Sequence, residues 1–203
     1  MTQQQGLAIG PATLEGRWVR LEPLQRQHVD ALAAISGDEE IWRYISMPLA
    51  THSDVATFVE RALATAERGD EIPFVIIEKV TGTIVGSTRF MDIRREHRAV
   101  EIGSTWLGRA WWRTAINSES KYLLLRHLFD DVGCLRVSLK TDARNLRSQR
   151  AIERLGAVRE GVLRKHMIVQ NGYSRDTVYY SIIDTEWPAI RSTMERNLYG
   201  SPD

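Results

Sequence analysis

The chain has 203 residues, 43% of them apolar and 26% charged, a composition typical of one globular domain with its own core. Its 27 basic and 26 acidic side chains leave a formal net charge of +1, which argues against bulk polyanion binding, so no direct nucleic-acid partner is expected. A single cysteine excludes an internal disulfide, and no signal peptide or run of ~18 apolar residues is seen, so we expect a cytoplasmic protein that does not enter a membrane.

The first half of the chain alternates polar turns with periodic apolar segments. Residues 1–13 are polar and interrupted by Gly and Pro, which predicts a loose arm. Thr51 and Asp54 have the spacing of a capping box and mark a helix start. Gly86 inside a strand predicts a bulge or a close backbone approach. The predicted strands of this half are 18–21, 72–78 and 83–92, and the predicted helices are 25–36, about 38–44 and the segment from Thr51 to Gly69.

The middle of the chain reads as a strand at 99–106, a helix at about 117–130 and a second strand at 135–141. Two strands joined by a helix of that length are parallel neighbours in one sheet, with a right-handed crossover. The helix start then faces the carboxyl end of the first strand, where open α/β sheets bind ligands. Because a helix N-terminus offers unpaired N–H groups to phosphate, an anionic cofactor is predicted here.

The last part of the chain predicts one more helix, a hairpin and a closing helix. Asn145 is a candidate N-cap for a helix that reaches Leu155, with Leu146 facing inward and Gly156 as its stop. Asn171-Gly172 predicts a hairpin between strands 158–169 and 174–183, and a last helix runs from about 185 towards 198. No linker or repeat interrupts the pattern, so 1–203 is expected to form a single domain.

Three segments carry a resemblance to a known family. They are Glu101-Ile-Gly-Ser-Thr-Trp-Leu, Trp112-Arg-Thr-Ala-Ile-Asn-Ser-Glu and the run from Asn145 to Gly161. They are similar to the GNAT superfamily of acetyl-CoA-dependent N-acetyltransferases, and within it to the branch that acetylates N-termini of ribosomal proteins. The resemblance spans nearly the whole chain. It implies an α/β fold with a mixed, splayed sheet of about seven strands flanked by helices, and coenzyme A between the two parallel strands.

The resemblance also implies which residues hold the cofactor, with one departure. The family usually has Gly-x-Gly or Gly-x-Ala under the pyrophosphate, where this chain has Arg113-Thr-Ala. The Arg113 guanidinium either pairs with a cofactor phosphate or obstructs the site; the first reading is favoured because a helix start still follows. The implied cofactor-binding residues are Trp106, Leu107, Arg113, Thr114, Ala115, Ile116, Asn117, Ser118 and Asn145.

The catalytic residues are also proposed from the resemblance. An amine must lose its proton before it attacks a thioester, and an α-amine, with a pKa near ~7.7, needs only modest help from a base. Glu101 matches a position where many members keep a carboxylate; the alternative is a structural acid paired with an arginine such as Arg89. The family tyrosine is replaced by Ile152, so Ser148 is the candidate proton donor or sulfur contact. Alternatively Ser148 is a polar residue of the first helical turn and Asn145 only its cap.

The function implied is direct acetyl transfer from acetyl-CoA to a primary amine, most readily a protein N-terminus. Two alternatives stay open: a small-molecule amine acetyltransferase, and a non-catalytic coenzyme A binder, since Arg113 and Ile152 replace family residues. A homodimer also stays open. No metal site is predicted, because the five histidines lack ligand spacing and no cysteine cluster joins them. Cys134 is read as a small core residue, not as a nucleophile.

Overall fold

The computed structural model describes residues 6–200, which form eight β-strands and six α-helices. The strands are β1 (Leu14–Glu15), β2 (Val19–Pro23), β3 (Ile72–Glu78), β4 (Thr83–Arg94), β5 (Ala99–Leu107), β6 (Arg136–Asp142), β7 (Val158–Ile168) and β8 (Ser174–Ile183). The helices are α1 (Val29–Ile35), α2 (Glu39–Trp42), α3 (His52–Glu67), α4 (Ala115–Arg126), α5 (Leu146–Arg154) and α6 (Trp187–Tyr199).

All the strands belong to one sheet, in the order β1-β2-β3-β4-β5-β6-β8-β7. Every neighbouring pair is antiparallel except β5 and β6, which are parallel and connected through α4. This confirms the predicted mixed α/β sheet and its parallel crossover. The sheet has eight strands where about seven were predicted, because the short strand β1 pairs with β2.

The two parallel strands separate soon after they begin. β5 and β6 pair only over Ala99–Glu101 and Arg136–Ser138, although β5 continues to Leu107 and β6 to Asp142. A bulge accompanies the separation: the register shifts between Ser87 and Arg89 of β4 so that one residue faces two on β5. One of those two, Ser104, has a φ of 49°. A bulge of this kind bends its strand and increases the twist, which moves β5 away from β6.

Gly86 lies where β4 comes close to this irregular part of β5. A Cβ added at Gly86 would lie 2.1 Å from the carbonyl oxygen of Trp106. The predicted close backbone approach is therefore confirmed, and a larger residue here would push β5 out of position.

Helices cover the two faces of the sheet unequally. Helices α4, α5 and α6 pack on one face, against β5, β6 and β8 among others, and form the larger core. Helices α1, α2 and α3 pack on the opposite face, but the core they form includes no residue of β6 or β8. That face of β6 and β8 is therefore left without a helix. Among residues 6–200, no helix has the length and hydropathy needed to cross a membrane.

Glu119 anchors the start of α4 to the beginning of the chain. Its side chain is fully buried and accepts hydrogen bonds from the backbone N–H groups of Arg17, Trp18 and Val19, at 2.7–2.8 Å. The hydroxyl of Tyr199 donates a fourth bond, at 2.8 Å. One carboxylate thus joins the β1–β2 turn, α4 and the end of α6, which fixes the position of the helix start beside the strand gap.

Some local predictions need correction. The predicted loose arm is packed from Leu7 onward, because the side chain of Leu7 is buried and its N–H donates to the carbonyl of Arg95; residues 1–5 lie outside the described part. Helix α4 begins at Ala115, two residues before its predicted start, and continues into a π-helical turn. Leu146 was predicted to face inward but is 59% exposed, so it lies on the solvent side of the first turn of α5.

Candidate active site

Glu101 lies at the point where the strand gap opens. It is the last residue of β5 that pairs with β6, opposite Ser138, and it is 3% exposed. The ammonium of Lys140 lies 3.1 Å from Oε1, at an angle that leaves Oε1 without a well-formed hydrogen bond among the described residues. Burial raises the pKa of the Glu101 carboxyl above its usual value, and the charge of Lys140 opposes that rise. A carboxylate in this state is a better proton acceptor than a solvated one.

The alternative reading of Glu101 named Arg89 as its partner. Arg89 instead pairs with Glu71 at 2.6 Å and lies over the ring of Phe58. Glu101 is therefore not held by that arginine, and Lys140 is the nearby cation.

The N-terminus of α4 forms one wall of the gap. The hydroxyl of Thr114 accepts the N–H of Ile116 at 3.3 Å, which caps the helix. The other N–H groups of the first turn, including those of Ala115 and Asn117, have no partner within an α-helix. Ile116 has a buried side chain, so only its backbone can contact a ligand, whereas Ser118 is exposed. The implied cofactor residues 114–118 thus lie together at a helix start that suits a phosphate.

Arg113 occupies a backbone conformation that glycine favours. Its φ is 62°, in the left-handed region, and its side chain is exposed. The turn that the family builds with glycine is therefore kept here with arginine, at a cost of roughly 1 kcal/mol. Because the side chain lies at the surface and is not packed into the gap, the guanidinium is free to meet an anion at the helix start.

The two implied cofactor residues of β5 point to opposite faces of the sheet. Trp106 packs against Trp42 with ring centroids 5.0 Å apart, and its buried Nε1 has no hydrogen-bond partner within 6–200. Leu107 is buried in the larger core, and its carbonyl accepts a hydrogen bond from Nε1 of Trp112 at 3.0 Å. Trp106 thus keeps a free N–H donor, while the carbonyl of Leu107 is already occupied.

The start of α5 forms the opposite wall. Asn145 is its N-cap, as predicted, with Oδ1 accepting the N–H of Ser148 at 3.0 Å. The Ser148 hydroxyl makes no hydrogen bond to any residue that the structure describes, so it is available to a ligand. The side-chain oxygen of Asn145 is committed to the cap, which leaves its amide NH₂ for contact.

A cation–π contact joins the two walls. The guanidinium carbon of Arg147, on α5, lies 3.7 Å from the ring centroid of Trp112, in the loop before α4. Arg109 lies 5.9 Å from the same ring. Because α4 follows β5 and α5 follows β6, the Arg147–Trp112 contact connects the two sides of the gap where these strands end.

Lys121 is a buried residue that the sequence reading did not single out. It is 7% exposed, and its only described hydrogen bond is from Nζ to Oγ1 of Thr105, at 2.5 Å. Burial lowers the pKa of Lys121 to about 7. The available signal was its position directly before the apolar run Tyr-Leu-Leu-Leu of α4, although the polar residues 117–120 before it favour an exposed lysine.

The helix-free face of β6 and β8 carries a row of polar side chains. Lys140 pairs in register with Tyr179, and Asp142 with Thr177, so their side chains share that face with Arg175. The sequence reading missed this row, because the register of β6 against β8 decides which side chains meet.

The turn between β7 and β8 closes one end of this face. The side-chain NH₂ of Gln170 donates to the carbonyl of Trp42 at 2.9 Å, and also to that of Ile45. The guanidinium of Arg144 stacks on Tyr173 at 3.6 Å and lies near Tyr44. The polar face thus runs along β6 and β8, from the residues next to this turn towards Ser138 and its neighbour Glu101.

The described residues 6–200 provide neither a reactive cysteine nor a metal-binding group. Cys134 is 2% exposed, and burial raises the pKa of its thiol to about 12, so a reactive thiolate is not available. Within residues 6–200 no group of three or more His, Cys, Asp or Glu side chains is placed to hold a metal ion.

Parallel strands that part beside a helix N-terminus, with a buried carboxylate where they part, are an arrangement suited to acyl transfer. Residues 19–158 match the family model described as an acetyltransferase (GNAT) domain. The chain therefore belongs to the GNAT family of N-acetyltransferases and is an acyltransferase, as the sequence resemblance implied. Domains of this family use acetyl-CoA as cosubstrate.

Relatives support the same assignment. A crystal structure of a GCN5-related N-acetyltransferase from Brucella melitensis is 31% identical, covers 98% of this chain and 90% of its own, and has a TM-score of 0.90. The uncharacterized N-acetyltransferase YoaA of Bacillus subtilis is 26% identical over 164 residues, 80% of this chain and 92% of that protein. The "Putative ribosomal N-acetyltransferase YdaF" of Bacillus subtilis is 28% identical over 106 residues, 52% of this chain and 57% of that protein.

Proposed function

We propose that this chain transfers the acetyl group of acetyl-CoA directly to the α-amine of a protein N-terminus, with Glu101 as the base. The position of Glu101 carries the proposal: its buried carboxylate, with a raised pKa, stands where β5 and β6 separate. A base with a raised pKa is matched to an α-amine, whose own pKa is near ~7.7. A lysine side chain, near ~10.4, would need much more help at neutral pH.

The residues of the two walls fit the cosubstrate. The first-turn N–H groups of α4 and the exposed guanidinium of Arg113 are placed to bind the diphosphate. The unpaired strand edges beyond Glu101 can hold the pantetheine amides. Ser148 and the amide NH₂ of Asn145 lie on the opposite wall.

The transfer balances without a covalent enzyme intermediate. The amine nitrogen forms a bond to the thioester carbonyl carbon while Glu101 accepts the amine proton, directly or through a water molecule. The carbon–sulfur bond then breaks, and the thiolate takes up a proton from Ser148, the proposed donor; water reprotonates Ser148, and Glu101 returns its proton to solvent. The products are an acetylated amine and free coenzyme A.

The choice of a peptide acceptor is supported by one relative, which is named "Putative ribosomal N-acetyltransferase YdaF". A small-molecule amine is the competing acceptor. Peptides with a free N-terminus, matched peptides with a blocked N-terminus and an internal lysine, and small amines separate these acceptors.

The test is release of free thiol from acetyl-CoA, with mass spectrometry of the acceptor. Wild type is expected to acetylate peptide N-termini, and Glu101→Gln to lose about 10²–10⁴-fold in kcat. The control Glu96→Gln makes the same change at an exposed turn and is expected to behave as wild type. If Glu101→Gln keeps the wild-type rate, Glu101 is not the base. If wild type releases no thiol with any acceptor but is thermally stabilised by coenzyme A, the chain is a binder and the transferase proposal fails.

A further inference from the structure

The strongest unexplained feature of the molecule is the buried guanidinium of Arg175 on β8. The residue is 7% exposed, and its Nε is buried without a hydrogen-bond partner in the described part of the chain. None of the ion pairs formed among residues 6–200 includes it. A buried charge without a partner costs several kcal/mol, so buried arginines are normally paired. An arginine left in this state is suited to an anion that the protein itself does not supply.

The carboxylates near Arg175 are already paired with other cations. Asp142 accepts two hydrogen bonds from the Arg144 side chain, at 2.7 and 3.0 Å, and one from the Arg144 N–H at 2.8 Å. Glu101 has Lys140 at 3.1 Å. Each carboxylate thus has its own cation, and Arg175 is the surplus positive charge on this face of the sheet.

The location of this charge connects it with acetyl transfer. Arg175 lies on the same face of the sheet as Lys140, Asp142 and Tyr179. Among the described residues no helix covers this face, which continues to Glu101. Its charge acts on the Glu101 carboxyl and helps to limit the rise in the pKa of that group. An acceptor whose amine reaches Glu101 therefore extends towards Arg175.

We propose that Arg175 binds a carboxylate of the acceptor, so that the substrate is an amine that also carries a carboxylate group. This inference rests on the proposed function and names its acceptor more closely. The carboxylate has two possible sources: an Asp or Glu side chain within the first two residues of a peptide, or the α-carboxylate of a free amino acid.

The test compares acceptors that differ only in one charge. The panel consists of Ala-Glu-Ala-Ala-amide, Ala-Gln-Ala-Ala-amide, free glutamate and free alanine, with kcat/KM measured for wild type and Arg175→Gln. Wild type is expected to prefer the Glu peptide over the Gln peptide by about 10- to 100-fold, mostly in KM, as one charge-assisted pair allows. Arg175→Gln is expected to abolish that ratio. Preference for free alanine over the Gln peptide would assign the α-carboxylate as the source.

A matched control and a binding assay complete the design. Arg159→Gln removes an exposed arginine from β7, in register with Tyr180 on the opposite face, and is expected to keep the wild-type ratio. Arg175→Lys keeps the charge and is expected to retain part of the preference, which matters if Arg175→Gln fails to fold. Calorimetric titration of the N-acetylated Glu and Gln peptides into wild type measures recognition without any transfer.

The outcomes separate the two proposals. A ratio within about twofold for wild type, or a ratio that survives in Arg175→Gln, overturns the role of Arg175 even if acetyl transfer proceeds. If no acceptor is acetylated, but the acetylated Glu peptide binds wild type and not Arg175→Gln, the carboxylate site stands and the proposed transfer reaction fails. If neither transfer nor selective binding is seen, both proposals fail.

Discussion

Replacing Glu119 by alanine tests how the start of α4 is held beside the strand gap. The buried carboxylate accepts three backbone N–H groups and the Tyr199 hydroxyl, all at 2.7–2.8 Å. A hydrogen bond to a charged group contributes about 1.5–3 kcal/mol, and each buried N–H left without a partner costs about 1–3 kcal/mol. Because such terms are not additive, the expected loss in unfolding free energy is about 4–6 kcal/mol, a large part of a typical total of about 5–15 kcal/mol.

The expected shift in melting temperature follows from chain length. At about 2.1 cal/mol/K per residue, the unfolding entropy of 203 residues is roughly 0.43 kcal/mol/K near the transition. A loss of about 4–6 kcal/mol then lowers Tm by about 9–14 °C. Differential scanning calorimetry of Glu119→Ala measures this directly. Glu119→Gln keeps one acceptor oxygen and is expected to lose about half as much, while Glu96→Ala, at an exposed turn, should change stability by at most about 0.5 kcal/mol.

The same variants report on function. If the four bonds position α4, Glu119→Ala should also bind coenzyme A more weakly at a temperature where it is still folded, because the first-turn N–H groups lose their alignment. A drop in Tm below about 3 °C would refute the reasoning, since it would mean that water or neighbouring groups replace the carboxylate at little cost.

Three further predictions concern charges near the gap. Lys121→Met should raise stability at pH 7 by roughly a few kcal/mol. It should also remove the rise in wild-type stability between about pH 7 and 10.5. Over that range the lysine keeps its proton in the unfolded chain but has lost it in the folded protein, where its pKa is about 7. Urea denaturation at several pH values checks this, and an unchanged pH slope contradicts it. Because Glu101 must be ionised to act as a base, kcat/KM should rise with pH through the raised pKa of Glu101, which defines the acid limb of the profile. Lys140→Met removes the opposing positive charge and should therefore move this acid limb to higher pH. An acid limb that stays in place would exclude Glu101 as the titrating group. Arg113→Gly should relieve left-handed strain and stabilise the fold by up to about 1 kcal/mol, yet weaken coenzyme A binding in a salt-dependent way; tighter binding would show that the arginine obstructs the site.

Local signals in the sequence predicted much of the fold. The capping box of Thr51 and Asp54 and the Asn171-Gly172 turn are formed by residues a few positions apart, and both occur as predicted. The parallel crossover was readable because strand and helix lengths alone constrain it. Leu146 shows the limit of periodicity, which places a residue on a helix face but does not say whether the rest of the fold covers that face.

The charges of the candidate site were harder to predict because they depend on distant partners. Glu119 is bonded to residues about a hundred positions earlier, which no local pattern reveals. Arg175 is unpaired only because Asp142 and Glu101 have other cations beside them, a fact that requires the register of β6 against β8. The role of Glu101 as base was proposed from resemblance and awaits the kinetic test.

The stack of Arg147 on Trp112 has a kinetic consequence. We expect an incoming thioester to separate the ring from the guanidinium, and a cation–π pair of about 0.5–2 kcal/mol would then slow association by roughly 2- to 30-fold. Once released, the same guanidinium can follow the diphosphate and delay its departure. Indole emission from Trp112 would then report arrival and exit of the nucleotide in stopped-flow traces.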